Sequence, residues 1–156
     1  MIYVGADHGG FELKEKIKKW LDEWKLEYQD MGSATLDPND DYPVSAFAVA
    51  DKVAAEDDPH KPWGERPKGI LACRSAAGVV IAANKVKGIS AVGMHTITGA
   101  AHSREHNNSN VMALAGDWID DIEAKEIVRI WLATEFSDEE RHKRRLAQIA
   151  KREMGS

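Results

Sequence analysis

The sequence predicts a single α/β domain over residues 1–156, with a mostly parallel sheet of about five strands. Short apolar runs alternate with longer segments of helical periodicity, which is typical of a parallel sheet covered on both faces. Polar or small residues follow the strand candidates, as they do where ligands bind in such sheets. No repeat, low-complexity tract or long linker divides the chain. Together these observations favour a doubly wound, Rossmann-like three-layer fold.

The first half of the chain contains two strand candidates, each followed by a helix candidate. Residues 2–6 form a β-rich run, and residues 26–31 form a second one that ends at a glycine. Turn-forming residues at 37–41 lead to Pro43, which fits the first turn of a helix over residues 44–55. Three prolines then make residues 57–68 an irregular loop. The apolar positions of the first helix are Leu13, Ile17, Trp20, Leu21 and Trp24.

The second half repeats the alternation three times. Strands are predicted at residues 69–73, 89–94 and 111–115, and short helices at 78–84 and 98–106. A final charged helix is expected from about residue 137 to the end. The long amphipathic helix before it is marked by Ile122, Ile127, Ile130, Trp131 and Thr134.

Composition excludes several classes of protein. Hydrophobic residues make up 43% of the 156 residues and charged residues 30%, as in an ordinary globular domain. No apolar run approaches the ~20 residues of a membrane span, and the start of the chain lacks the pattern of a signal peptide. The single cysteine cannot form an internal disulfide, which favours the cytoplasm. The net charge of −5 argues against nucleic acid as a partner.

The motifs that the sequence contains and lacks limit the cofactors it could bind. Neither a G-x-G-x-x-G fingerprint after a strand nor a phosphate-binding G-x-x-x-x-G-K-[ST] loop is present, so a nucleotide cofactor is not expected. His102 and His106 lie four residues apart with Glu105 beside them, a spacing that can bind a metal. Because no clear third ligand accompanies the two histidines, the sequence predicts no metal site.

Cys73 lies at the end of a predicted strand, directly before a helix. An unpaired cysteine is most often a small buried hydrophobic residue. The helix N-terminus that follows instead favours a thiolate, which can act as a base or nucleophile. The N–H groups of Ser75, Ala76, Ala77 and Gly78 could then hold an oxyanion. Position alone leaves both interpretations open.

Five blocks of sequence, in order along almost the whole chain, resemble one enzyme family. They are GADHGGFELKEKI at the start, DYP at 41–43, GILAC…G…IAANK in the middle, SREHNNSNV at 103–111 and ERHKRRL near the end. The chain is identified as a member of the ribose-5-phosphate isomerase B family, which includes the galactose-6-phosphate isomerase subunits. The resemblance implies metal-free, cofactor-free aldose–ketose isomerisation through a cis-enediolate.

The resemblance also implies catalytic roles. Cys73 matches the base of one branch of the family; the glutamate used by another branch is Val79 here. Ser75 matches a hydroxyl residue of the anion-binding loop, and His106 matches the histidine that opens the sugar ring. We expect His106 to point toward the strand ends. Asp7 matches a residue that lines the sugar site.

Substrate-binding roles follow in the same way. Tyr42 matches a residue lining the sugar site, and Asn107 one that binds the intermediate. His8, Arg141 and Arg145 match phosphate ligands, which gives a role to a basic cluster that could otherwise be a solvated helix face. In the family the C-terminal helix reaches across a dimer, so the resemblance implies a homodimer or tetramer with shared active sites.

Two departures from the family pattern concern phosphate binding. The usual loop Gly-[Thr/Ser]-Gly-x-Gly is here Arg74-Ser75-Ala76-Ala77-Gly78, and alanine resists positive φ, so the loop could be shaped differently. The family's G-x-R arginine aligns with Asp117, whose carboxylate would repel phosphate. Arg74 either replaces that charge, moves positive potential toward the enediolate and the thiol, or points to solvent.

The main functional hypothesis is interconversion of ribose 5-phosphate and ribulose 5-phosphate in the cytoplasm. One alternative keeps the chemistry but shifts the substrate to a hexose phosphate or a sugar acid. The other is a non-catalytic protein that binds sugar phosphates. Intact Cys73, Ser75, His106 and Asn107 argue against the last hypothesis, whereas Arg74 and Asp117 argue for it.

Overall fold

The computed structural model describes residues 1–155 and contains a single five-stranded sheet. The strands are β1 (Ile2–Ala6), β2 (Tyr28–Asp30), β3 (Lys68–Cys73), β4 (Ala91–Met94) and β5 (Val111–Ala115). All neighbouring pairs are parallel, in the order β2-β1-β3-β5-β4. The predicted α/β class is confirmed, and the sheet is parallel throughout.

Six helices connect and extend the strands. They are α1 (Phe11–Glu23), α2 (Tyr42–Glu56), α3 (Ala77–Ala83), α4 (Ile97–Asn107), α5 (Asp121–Ala133) and α6 (Glu140–Glu153), with a short 3-10 turn at Trp63–Glu65. Each predicted helix is present, with boundaries moved by one to three residues. None of the helices in the described part of the chain is both long and apolar enough to span a bilayer.

Helices cover both faces of the sheet, as the doubly wound prediction requires. One core cluster joins α1, α4 and α5 to the sheet, and includes Ile17, Leu21, Ile127 and Trp131. The other joins α2 and α3 to the opposite face. Because β1, β3 and β5 are buried on both faces, their sequences are continuous apolar runs rather than alternating ones.

The C-terminal helix α6 packs on α4 rather than on the sheet. His142 is its buried residue, and its imidazole stacks on that of His106 with ring centroids 4.5 Å apart. Burial, followed by the nearby Arg141 charge, lowers the pKa of His142. Most of the helix surface beyond this contact is exposed.

Candidate active site

The carboxyl ends of β1, β3 and β5 meet at one edge of the sheet, and glycines allow their loops to touch. The Gly116 N–H donates to the Cys73 carbonyl oxygen at 2.8 Å. A Cβ built on Gly10 would lie 2.6 Å from the Cys73 backbone nitrogen and closer still to the Ala72 carbonyl group. Only glycine therefore fits at position 10, and this close approach sets the β1 loop directly against the end of β3.

Asp7 and Cys73 are brought together by strand register. Ala6 pairs with Ala72, so the next residue of each strand lies at the same edge. The Asp7 carboxylate is buried and accepts a hydrogen bond from the Gly10 N–H at 3.0 Å. Cys73 is buried with its side chain in the α2–α3 core. A carboxylate and a thiol thus lie at adjacent strand ends.

His8 is held by Asp40, which lies in the turn region between β2 and α2. Its Nδ1 lies 2.8 Å from Asp40 Oδ1, and its backbone N–H donates to the same oxygen at 2.8 Å. The hydrogen bond to Asp40 raises the pKa of His8, with Asp7 adding to the effect. Asp40 therefore favours the imidazolium form, which suits an anion ligand.

The loop after Cys73 keeps a left-handed turn despite its alanines. Ala76 has φ +63° and immediately precedes α3. Its methyl group is buried in the α2–α3 core, and packing there offsets the strain of the left-handed backbone. The Ala77 N–H donates to Ser75 Oγ over a long 3.4 Å. The other N–H groups of this first helical turn lack intrahelical acceptors, as at the start of any helix.

Tyr42 lies beside the same loop. As the first residue of α2, its ring covers Gly78, where a Cβ would come within 2.9 Å of the ring carbons. The structure therefore gathers Asp7, His8, Tyr42 and Cys73 at the carboxyl edge, together with the loop of Ser75, Ala76, Ala77 and Gly78.

Arg74 and Asp117 form an ion pair beside His8. Arg74 Nη1 lies 3.5 Å from Asp117 Oδ2, and both line a cavity of about 220 Å³ with His8 and Gly9. Arg74 is therefore directed toward His8 and the α1–α5 side of the sheet, whereas the Cys73 side chain packs on the α2–α3 side. This direction does not match the idea that Arg74 places its charge at the thiol.

His106 and Asn107 lie at the opposite edge of the sheet, contrary to the expectation that His106 points toward the carboxyl ends of the strands. They end α4, and β5 begins four residues after Asn107. A helix that follows a parallel strand runs back along the sheet, so its last residues lie at the amino edge. Asn107 lines a separate cavity of about 360 Å³ there, with Asn110 and Leu146.

Arg141 and Arg145 are also far from the carboxyl edge within one chain. Both are exposed on α6, the helix anchored to His106 through His142. Four predicted site residues, His106, Asn107, Arg141 and Arg145, therefore form a second group at the amino edge.

One group of potential metal ligands occurs within residues 1–155. A ligand atom from each of His102, Glu105 and His106 lies within 4.8 Å of the other two. Glu105, which the sequence places beside the two histidines, is thus close enough to them to act as a third potential ligand. The two histidine rings stack on each other at 4.7 Å, and His106 also stacks on His142.

Comparison with known proteins identifies the family. The pattern of the ribose/galactose isomerase family matches residues 2–149. The chain belongs to that family. It is 40% identical over 149 residues to the putative sugar phosphate isomerase YwlF of Bacillus subtilis, covering 96% of this chain and 94% of that protein. It is 38% identical to the probable ribose-5-phosphate isomerase B of Mycoplasma genitalium, covering 97% and 95%.

The likeness extends to three dimensions. The crystal structure of ribose-5-phosphate isomerase B from Mycoplasma genitalium with bound ribulose-5-phosphate superposes with a TM-score of 0.89 at 37% identity. The match covers 99% of this chain and 97% of that one. The family assignment predicted from the five sequence blocks is therefore confirmed.

As a ribose/galactose isomerase family member, the chain keeps its chemistry-bearing residues in two groups. The carboxyl-edge group contains the thiol, the Asp7 carboxylate and His8. The amino-edge group contains the stacked histidines and the exposed arginines of α6. Each group alone lacks part of the predicted site.

Proposed function

We propose that the chain is an aldose–ketose isomerase that interconverts ribose 5-phosphate and ribulose 5-phosphate. The observation that supports this most is the Cys73 thiol at the carboxyl end of the central strand β3, beside Asp7 and before a left-handed loop. In the forward direction, the Cys73 thiolate takes the C2 proton of the open-chain aldose, and a cis-enediolate forms. The hydroxyl proton moves from O2 to O1, and the thiol returns its proton to C1.

The loop after Cys73 supports the charged intermediate. The backbone N–H groups at residues 75–78 surround the left-handed residue Ala76 at the start of α3, and they would donate to the enediolate oxygens. Ser75 adds a hydroxyl at the start of this loop. Tyr42 closes the loop from the α2 side, because its ring covers Gly78. The reaction as proposed uses no metal or cofactor.

We further propose that the active site is shared between two copies of the chain. His106 would open the sugar ring and Asn107 would bind the intermediate, but both lie at the wrong edge to reach Cys73 of their own chain. Arg141 and Arg145, four residues apart on one helix face, would bind phosphate of the neighbouring site. A homodimer, or a tetramer of such dimers, brings the two groups together.

An exposed apolar surface on α2 and α3 supports this assembly. Val44 is 71% exposed and Ile81 62%, and Tyr42 and Phe47 are partly exposed beside them. Large apolar side chains that are exposed on two packed helices favour a protein interface. The surface adjoins the carboxyl edge through Tyr42, so a partner bound there would lie next to the thiol. We place the enzyme in the cytoplasm, because its single cysteine cannot form an internal disulfide.

The test of function is an isomerase screen followed by NMR. We incubate the full chain with pentose phosphates, hexose phosphates and sugar acids in D₂O, and monitor aldose, ketose and deuterium at C2. We expect ribose 5-phosphate to react and Cys73→Ala to be inactive. If only a hexose phosphate or a sugar acid is turned over, that compound is the substrate instead of ribose 5-phosphate. Binding of ribose 5-phosphate without turnover of any substrate would indicate the non-catalytic alternative.

The shared site is tested by complementation. Cys73→Ala and His106→Asn are inactive alone, but a mixed dimer contains one site in which both residues are intact. After subunit exchange, random pairing gives about a quarter of wild-type activity. Arg141→Ala mixed with His106→Asn is the matched control: both changes then fall in the same half of the site, so no intact site forms. Absence of recovery despite verified exchange would refute the shared site.

A further inference from the structure

The Arg74–Asp117 pair is built into the ends of two neighbouring strands. The Asp117 N–H donates to the Arg74 carbonyl oxygen at 3.2 Å, so both side chains start from one point of the carboxyl edge. The side chains are 65% and 44% exposed and meet through one 3.5 Å contact. A single long contact in water leaves most of the five N–H donors of the guanidinium free to bind another group.

The space around Arg74 is made by a glycine. A Cβ on Gly9 would lie 3.2 Å from the Arg74 backbone nitrogen and closer still to its Cγ. With hydrogen at this position, the Arg74 side chain lies across the β1 loop and reaches the cavity lined by His8. The hydrogen bond to Asp40 still raises the pKa of His8, and the nearby Arg74 charge opposes that rise only weakly.

Both cationic and acidic side chains line the cavity. The cationic side chains that line it are His8, Lys16 and Arg74, and the acidic ones are Glu12, Asp117 and Asp121. Lys16 pairs with Asp121 at 2.8 Å, away from the strand ends. His8 uses Nδ1 for Asp40, and Arg74 makes a single 3.5 Å contact with Asp117, so both cations keep further N–H groups that can converge on a ligand. The equal number of carboxylates predicts modest affinity.

We propose that Arg74 binds the phosphate group of the substrate together with His8, and that Asp117 is a positioning residue that holds the guanidinium over the cavity. The inference rests on the proposed function for the identity of the phosphate ester. In this proposal the phosphate contact comes from Arg74 in the loop after β3. The loop after β5 has Asp117 in the corresponding place and therefore contributes no cation. Phosphate oxygens suit the planar fork of an arginine better than any neutral group.

The experiment measures binding of inorganic phosphate by calorimetry and KM for ribose 5-phosphate, both with the full chain. Arg74→Gln should weaken phosphate binding and raise KM at least tenfold, with kcat within threefold of wild type, since it loses a charge-assisted contact. The double variant Arg74→Gly with Asp117→Arg should restore both constants to within threefold, because it returns the charge from the other strand. Arg129→Gln, which removes an arginine paired with Glu126 elsewhere, is the control and should change neither.

The role of Asp117 is tested by two neutral variants. Asp117→Asn and Asp117→Ala remove the same negative charge, but only the former keeps an acceptor for Arg74. We expect the asparagine variant to bind phosphate at least threefold more tightly than the alanine variant. Equal affinities would refute the positioning role.

Failure of this inference is distinct from failure of the proposed function. Unchanged phosphate binding in Arg74→Gln would overturn the inference even in an active isomerase. Weakened phosphate binding in Arg74→Gln would support the anion site even if no sugar phosphate were isomerised. A loss of kcat without a change in phosphate affinity would place Arg74 at the reacting carbons and overturn the assignment.

Discussion

Replacing Gly10 with alanine should damage both the fold and the site, because position 10 has no room for a side chain. The added Cβ would lie 2.6 Å from the Cys73 nitrogen and closer to the Ala72 carbonyl group, whereas carbon atoms pack at about 3.5–4 Å. The obstacle is the backbone of the central strand, so relief requires the β1 loop and the start of α1 to move by about 1 Å. Overpacking of this kind costs about 1–3 kcal/mol.

Two measurements follow from that displacement. For a domain of this length, 1–3 kcal/mol corresponds to a decrease in Tm of roughly 2–12 °C. Moving Asp7 and His8 relative to Cys73 by about 1 Å should also lower kcat/KM about 100-fold. Thermal unfolding and initial rates measure the two effects.

Gly64→Ala provides the control. A Cβ there would have no neighbour within 4 Å, and the backbone is not left-handed, so we expect a change within about 0.5 kcal/mol. Wild-type Tm and kcat/KM in Gly10→Ala would refute the argument that this close approach sets the geometry of the site.

Three further predictions concern the chemistry. Cys73→Ala should fold normally yet lose at least about 1,000-fold in kcat. Cys73→Ser should be almost as inactive, because a hydroxyl is far less acidic than a thiol. If either variant retained most of the activity, the thiol would be excluded as the base. His106→Asn should impair turnover of ribose 5-phosphate more than that of a four-carbon aldose phosphate, which cannot close a furanose ring; equal losses would exclude a ring-opening role. KM for sugar phosphate should rise as the pH increases through the raised pKa of His8, because the imidazolium is lost. Asp40→Asn removes the hydrogen bond that raises this pKa, so the rise in KM should move to lower pH. If the dependence of KM on pH is unchanged in Asp40→Asn, His8 does not bind the phosphate.

The sheet and helices were predictable because buried parallel strands and amphipathic helices leave strong sequence patterns. Boundaries were less so. Leu26 belongs to the run of residues that predicts the second strand, but β2 begins at Tyr28, because only three residues pair with β1 at this edge. Ile89 also precedes its strand, since its N–H donates to the Val86 carbonyl oxygen in a turn.

The site was only partly predictable. Asp40 was missed because its contact with His8 joins residues 32 positions apart, and a turn-forming aspartate has no sequence signal for a distant partner. His106 was identified as a candidate but expected at the wrong edge, because the motif was considered without the direction of its helix. Alanine resists positive φ, but Ala76 is left-handed here, and its methyl group is buried, which the sequence of the loop alone does not indicate.

Because the two groups of residues lie at opposite edges of the sheet, the activity of the proposed enzyme should depend on association of its subunits. A lone chain holds the thiol and His8 at one edge and His106 at the other, and the sheet between them is fully buried in its centre. No side-chain rotation can bridge that distance, so on the proposed shared site the isolated chain has no complete centre. Activity should therefore depend on protein concentration in the range where the subunits dissociate. The exposed arginines of α6 would contribute to affinity only in the assembled form, whereas Arg74 would bind phosphate in either form.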